Sequence, residues 1–199
     1  IGTYHEHARN RLKATVTNFS HNGEFSKSGH TLKWGANIQN EIISDKISEW
    51  EWRDSAGYSL PDKDNSVQLY YNMKARNDLN TWRSTAYIQN TYKWDTDAAL
   101  FAVTGGLRTN YWTFNKEFLL SPRASFSVLP HWNRDFGFRF ATGVYYQSPF
   151  YKEMRDTISD KLGNVIIKLN DNIKAQRSVH FVLGGDYYFR VWGRPFKFT

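Results

Sequence analysis

Residues 135–146 read DFGFRFATGVYY. Phe136, Phe138, Phe140, Thr142, Val144 and Tyr146 fall on one side of an extended chain. Gly137, Arg139, Ala141, Gly143 and Tyr145 fall on the other. Successive side chains of a strand point to opposite faces, so this is a period-2 pattern with one apolar face and one small or polar face. At about 3.3 Å per residue the segment is long enough, with tilt, to cross a thin hydrocarbon layer. The fold turns on what the apolar face meets: a second sheet, a core or lipid.

The same design recurs outward from this stretch. Leu12, Ala14 and Val16 alternate with Lys13, Thr15 and Thr17, and Leu32, Trp34, Ala36 and Ile38 with Lys33, Gly35, Asn37 and Gln39. Segments 82–93, 98–113, 121–129 and 178–190 repeat it, which predicts about eight strands. His21–Gly29, Asp95–Asp97, Pro130–Asp135 and Trp192–Arg194 read as short turns. Two long polar stretches, about 49–81 and 148–176, read as external loops. Val165–Leu169 is expected to pair locally inside the second. Short and long connections alternate, as they do at the two ends of an antiparallel membrane barrel.

Bulk composition narrows the classes. The 199 residues contain 40% hydrophobic and 23% charged residues, and no cysteine, which excludes disulfides and thiolate metal sites. No run of about 18 apolar residues exists, so no spanning helix is expected. A barrel escapes that objection because each strand hides only alternate residues. The 8 Trp, 12 Tyr and 14 Phe suit surfaces that are apolar at one end and wet at the other. The net charge of +7 comes from scattered Lys and Arg without a nucleic-acid motif, so no nucleic-acid partner is expected. The chain begins and stops inside what read as strands, and is expected to be part of a longer protein.

At these residues a family resemblance enters. HTLKWGANIQNEIISDKISEWEWRDSAGYSLP (30–61), LLSPRASFSVLP (119–130), the run from Phe136 to Arg155 and QRSVHFVLGGDYYF (176–189) resemble Bacteroidota TonB-dependent outer-membrane receptors. The resemblance covers most of the chain outside its variable loops. It implies an all-β fold: an antiparallel transmembrane β-barrel segment, with 1–199 supplying about 8 strands of a barrel of about 22. The relatives in question carry a carboxypeptidase-regulatory-like domain before the plug. The implied setting is the outer membrane of a Gram-negative bacterium. The implied partners are its lipid, an N-terminal plug, the TonB complex and, for nutrient importers, a lipoprotein lid. The implied function is import of a scarce ligand such as a metal chelate, oligosaccharide or peptide, without enzymatic activity and without a cofactor.

Candidate residues follow from face and loop. Arg108, Arg139, Asp186 and Arg190 oppose the apolar face and are expected to look into a wet lumen, most simply as an ion-pair network. Trp50, Trp52, Asp54 and Tyr58 combine aromatics with charge in the first long loop, where they could hold a sugar or a cation, and Glu153 and Arg155 in the second are further ligand candidates that could gate or cap the lumen. His5 and His7 flank Glu6 without a third placed ligand, so no metal site is expected. No nucleophile–base pair suggests catalysis. Two alternatives stand beside the receptor reading. An outer-membrane barrel hydrolase would need a rim triad. A soluble β-sandwich carbohydrate-binding module would bury Phe138, Phe140, Phe181 and Leu183 against a second sheet.

Overall fold

A computed structural model describes residues 4–53, 68–131, 136–159 and 165–199. Eleven strands form among them: β1 (Tyr4–Ala8), β2 (Arg11–Lys27), β3 (His30–Arg53), β4 (Gln68–Asp95), β5 (Ala99–Trp112), β6 (Glu117–Pro130), β7 (Phe136–Gln147), β8 (Arg155–Ser159), β9 (Val165–Leu169), β10 (Gln176–Val191) and β11 (Arg194–Phe198). Nine of them make one sheet in the order β1-β3-β4-β5-β6-β7-β10-β11, with β2 also pairing β3. β8 and β9 pair antiparallel as a separate hairpin, Thr157 opposite Ile167. β3 runs on to Arg53 and β4 starts at Gln68, well into the polar stretch that read as loop.

Register turns the sequence alternation into rows. Tyr92 lies opposite Val103, Val103 opposite Phe126, Phe126 opposite Phe140, and Phe140 opposite Leu183. One aromatic and aliphatic row thus crosses five strands, the kind of cross-strand contact that stabilises a sheet face. On the other face Lys93, Ala102, Ser127, Arg139 and Gly184 align in the same way.

The sheet is open. Among the described residues, no pairing joins the β1–β2 edge to β11. The described strands are therefore not closed into a transmembrane barrel, and this corrects the expectation from the sequence. An open edge leaves amides and carbonyls unpaired, and each such group in hydrocarbon costs several kcal/mol. The resemblance to TonB-dependent receptors loses its structural ground with the barrel. The outer-membrane location, the lipid, plug, TonB and lipoprotein partners, and ligand import rested on that closure and go with it. Among the described residues no helix is long and apolar enough to cross a membrane, which bears on helical spans alone.

What stands is an all-β architecture of two open sheets, closer to the sandwich alternative than to a transporter. The burial expected of a sandwich is not complete. Phe138 and Phe140 are exposed, and Phe181 and Leu183 are 73% and 85% exposed, so no second sheet covers them among the described residues.

Two compact units divide the chain: residues 1–17, 40–81 and 150–173, and residues 18–39, 82–149 and 174–199. In the first, Ile43 and Ile47 of β3 and Met73 and Leu79 of β4 are buried together with Met154, which is 1% exposed. In the second, Ala99, Trp112 and Leu119 are buried.

Tight turns are set by local chemistry. Ser28 and Gly29 join β2 to β3 with φ of 51° and 80°, and Trp192 and Gly193 join β10 to β11 with φ of 53° and 72°. Two consecutive positive φ values are what a two-residue hairpin of type I′ requires. A Cβ on Gly29 would also stand 2.5 Å from the carbonyl oxygen of Lys93. Gly29→Ala is therefore expected to destabilise by about 2 kcal/mol, from backbone strain and that clash. A Cβ on Gly105 meets nothing within 4 Å, so Gly105→Ala should be close to neutral. Parallel urea titrations check the pair; equal midpoints would contradict the turn assignment.

Candidate functional site

The first unit carries a groove of about 640 Å³, within the usual range for small-ligand sites. Three strands and one junction build it. β1 and β2 both lie along β3, and the step between them occurs at Arg9 and Asn10. There the Arg9 amide donates to the Ser48 carbonyl at 2.8 Å. The Ser48 amide donates to Asn10 Oδ1 at 3.1 Å, and Asn10 Nδ2 donates to Glu49 Oε1. The asparagine side chain thus fills the gap in the ladder and fixes the neighbours Arg9 and Arg11 beside the groove. From β3 the alternate positions Lys46, Ser48, Trp50 and Trp52 line it, and from β4 Asn72 and Lys74 do, with Leu69. Period-2 geometry puts these alternate residues on one face.

Four cations, Arg9, Arg11, Lys46 and Lys74, thus surround one groove. None of them forms an ion pair with a carboxylate among the described residues. Like charges gathered without counter-charges create a positive local potential that favours an anionic ligand. The two tryptophans differ. Trp50 stacks on His7 at 5.4 Å between centroids, and the Arg9 guanidinium lies 5.6 Å from its ring centre. Trp52 is partly exposed and takes part in no ring contact among the described residues, which leaves it as the open platform.

The odd face of the same strand holds the groove in place. Asp45 is 4% exposed. Its Oδ2 accepts from the Tyr151 hydroxyl at 3.0 Å and pairs with Arg155 Nη1 at 3.4 Å. Tyr151 and Arg155 sit on the turn 150–155, where Met154 and Glu153 amides donate to the Phe150 carbonyl and the Phe150 amide donates to Glu153 Oε2 at 2.8 Å. That carboxylate reaching back to an amide three residues earlier is half of a capping box. Burial, followed by the hydrogen bond to Asp45 and its charge, pushes the Tyr151 phenol well above its ordinary range.

The sign of that shift makes a prediction. A phenol with a raised folded pKa keeps its proton after the unfolded chain has lost it. Its contribution to stability is whole below pH of about 10 and is lost as pH rises through the folded value. Wild-type stability should therefore fall more steeply above pH of about 10 than that of Tyr151→Phe. Chemical denaturation across that range reads the two slopes; parallel slopes would remove Tyr151 from the account.

The other sequence-derived residues are distributed as follows. Trp50 and Trp52 reach the groove, whereas Glu153 and Arg155 serve the turn and Asp45. Asp54 and Tyr58 lie outside the described residues. Arg108, Arg139, Asp186 and Arg190 share the polar face of the second unit, and the described sheet encloses no lumen for them to face. Arg139 Nη1 pairs with Asp186 Oδ2 at 3.3 Å, and Lys197 Nζ with Asp186 Oδ1 at 3.1 Å. The Lys197 hydrogen bond first, then those of Thr199 and the Arg139 charge, hold the Asp186 carboxyl below the usual range. Arg108 lines a separate polar cavity, and Arg190 lies opposite Pro195 of β11.

Sequence reading missed Arg9, Arg11, Lys46 and Lys74. The alternation Lys46, Ser48, Trp50, Trp52 is present in the sequence, but Trp50 and Trp52 fall in the stretch that reads as loop, where no strand phase is expected. Among the described residues no group of three or more His, Asp or Glu side chains could hold a metal ion. Fold and groove together define an all-β domain with an open cationic, aromatic groove. Compared with known proteins, the chain matches no family model and no curated protein.

Proposed function

We propose that the chain is a binding domain for acidic oligosaccharides, engaged through the groove between β2, β3 and β4. One observation carries this reading: four cations without carboxylate partners among the described residues converge with an open indole on one surface. Guanidinium and ammonium groups make charge-assisted hydrogen bonds to sulfate or uronate oxygens, roughly twice as strong as neutral ones. Trp52 offers a flat apolar face to a pyranose ring, with its sugar C–H groups against the indole. The reading involves no bond-making step, so the domain acts by binding and not by catalysis.

Nucleic acid is the competing polyanion. Sequence-tolerant single-strand binding relies on successive aromatic platforms as well as charge. Trp50 is covered by His7 and Arg9, so a single platform remains, which favours the saccharide.

Calorimetric titration tests the reading. Heparin-derived and polygalacturonate-derived tetrasaccharides should bind, and binding should weaken as salt is raised. Maltotetraose should not bind at this groove. Tighter binding of an oligothymidylate than of either acidic saccharide would overturn the proposal.

A further inference from the structure

We infer that the polar face of the second unit holds a separate binding site for an uncharged sugar ring. The cavity there measures about 400 Å³, within the usual range for small-ligand sites. Asn37 of β3, Thr85 of β4, Arg108, Asn110 and Trp112 of β5, and Glu117 of β6 line it. Register brings them together: Thr85 lies opposite Asn110, and Trp112 opposite Glu117.

The state of these groups points to a ligand. The side chains of Asn37, Arg108 and Asn110 take no hydrogen-bond or ion-pair partner among the described residues. Each amide offers two N–H donors and a carbonyl acceptor in one plane, and the guanidinium offers a fork of donors. Neighbouring hydroxyls of a pyranose, each both donor and acceptor, match that set. Glu117 is held for the task, its Oε2 accepting from Asn115 Nδ2 at 3.0 Å and from the Ala175 amide at 3.0 Å.

Trp112 adds an independent sign. It is 3% exposed, and its Nε1–H has no acceptor among the described residues. Arg83 lies 4.1 Å above its ring, which fixes the indole in place. An unpaired buried donor costs about 1–3 kcal/mol. A ligand hydroxyl entering at this wall, directly or through one water, offsets that cost.

Charge separates this site from the groove of the first unit. Two guanidiniums here face one carboxylate, against four unpaired cations there. The near-balance selects an uncharged polyol over a polyanion. The inference does not depend on the acidic-saccharide reading, because no residue is shared.

Saturation-transfer NMR with methyl glucoside, methyl galactoside and methyl mannoside at millimolar concentration tests it. At least one glycoside should receive saturation from the protein. Asn37→Ala combined with Asn110→Ala should weaken its binding at least tenfold. Trp52→Ala should leave it unchanged, and a polygalacturonate tetrasaccharide should not compete. If the double variant fails to fold by circular dichroism, Arg108→Gln replaces it with the same expectation. Absence of transfer to all three glycosides, or unaltered affinity in the folded variants, overturns the inference and leaves the groove proposal standing.

Discussion

Reversing two groove cations, Arg11→Glu with Lys74→Glu, should weaken binding of an acidic tetrasaccharide by roughly 100-fold or more. The size follows from the geometry. Both side chains are exposed at the groove and neither is held by a carboxylate among the described residues, so each is available to an anion. Reversal removes an attraction and adds a repulsion at each position, about 1–2 kcal/mol apiece for partly solvated contacts. The same changes should shift folding stability by no more than about 0.5 kcal/mol, because surface substitutions away from packed features rarely do more. Affinity of the variant should also lose most of its salt dependence. Trp52→Ala should cost about tenfold through the lost platform, with a similar melting temperature. Trp50→Ala is expected to behave differently, lowering stability as well, since it removes the partner of His7 and Arg9 at the β1–β3 edge. Calorimetry alongside thermal melts separates binding from folding. A double reversal that binds as wild type would dismiss the groove.

Asp45→Ala should destabilise the first unit by about 3 kcal/mol. The carboxylate is nearly inaccessible and satisfies both the Tyr151 hydroxyl and Arg155. Removing one member of a buried pair leaves the remaining charge and hydroxyl without their acceptor, which costs more than the pair contributes on balance. Arg155 keeps part of its side chain in solvent, so the lower end of the range of about 3–5 kcal/mol is expected. Asp45→Asn preserves shape and an acceptor and should cost less. A double-mutant cycle with Tyr151→Phe should give a coupling of about 1 kcal/mol or more. Additive losses would mean that Asp45 acts on neighbours other than Tyr151. Met154→Ala, at the centre of the same packing, should cost about 2–5 kcal/mol through its cavity, and serves as a non-polar reference.

Much of the strand pattern was legible before any coordinates. Phe136 to Tyr146 alternate as read, because the two-residue period belongs to the extended backbone itself. Trp192–Gly193 turns where a short connection was expected, because positive φ is a local property, whereas of the expected turn His21–Gly29 only Ser28–Gly29 turns and His21–Lys27 continue strand β2. The hairpin partner of Val165–Leu169 is also local, lying at Arg155–Ser159. Glu49 to Arg53 were harder. They fall in the polar stretch that reads as loop, yet pairing with β1 holds them extended.

The amino-acid order by itself determined which side of the alternating strands is apolar, since alternation is set within a few residues, but it did not mark 49–53 or 68–81 as extended. It did not determine what the apolar side meets or whether the outer strands find each other. Only the tertiary structure decided that the sheet is open, that Asp45 meets Tyr151 across 106 positions, and that cations from β2, β3 and β4 gather on one groove. Alternation gives a side chain its side, whereas closure and convergence depend on contacts between distant segments, and those leave no period in the chain.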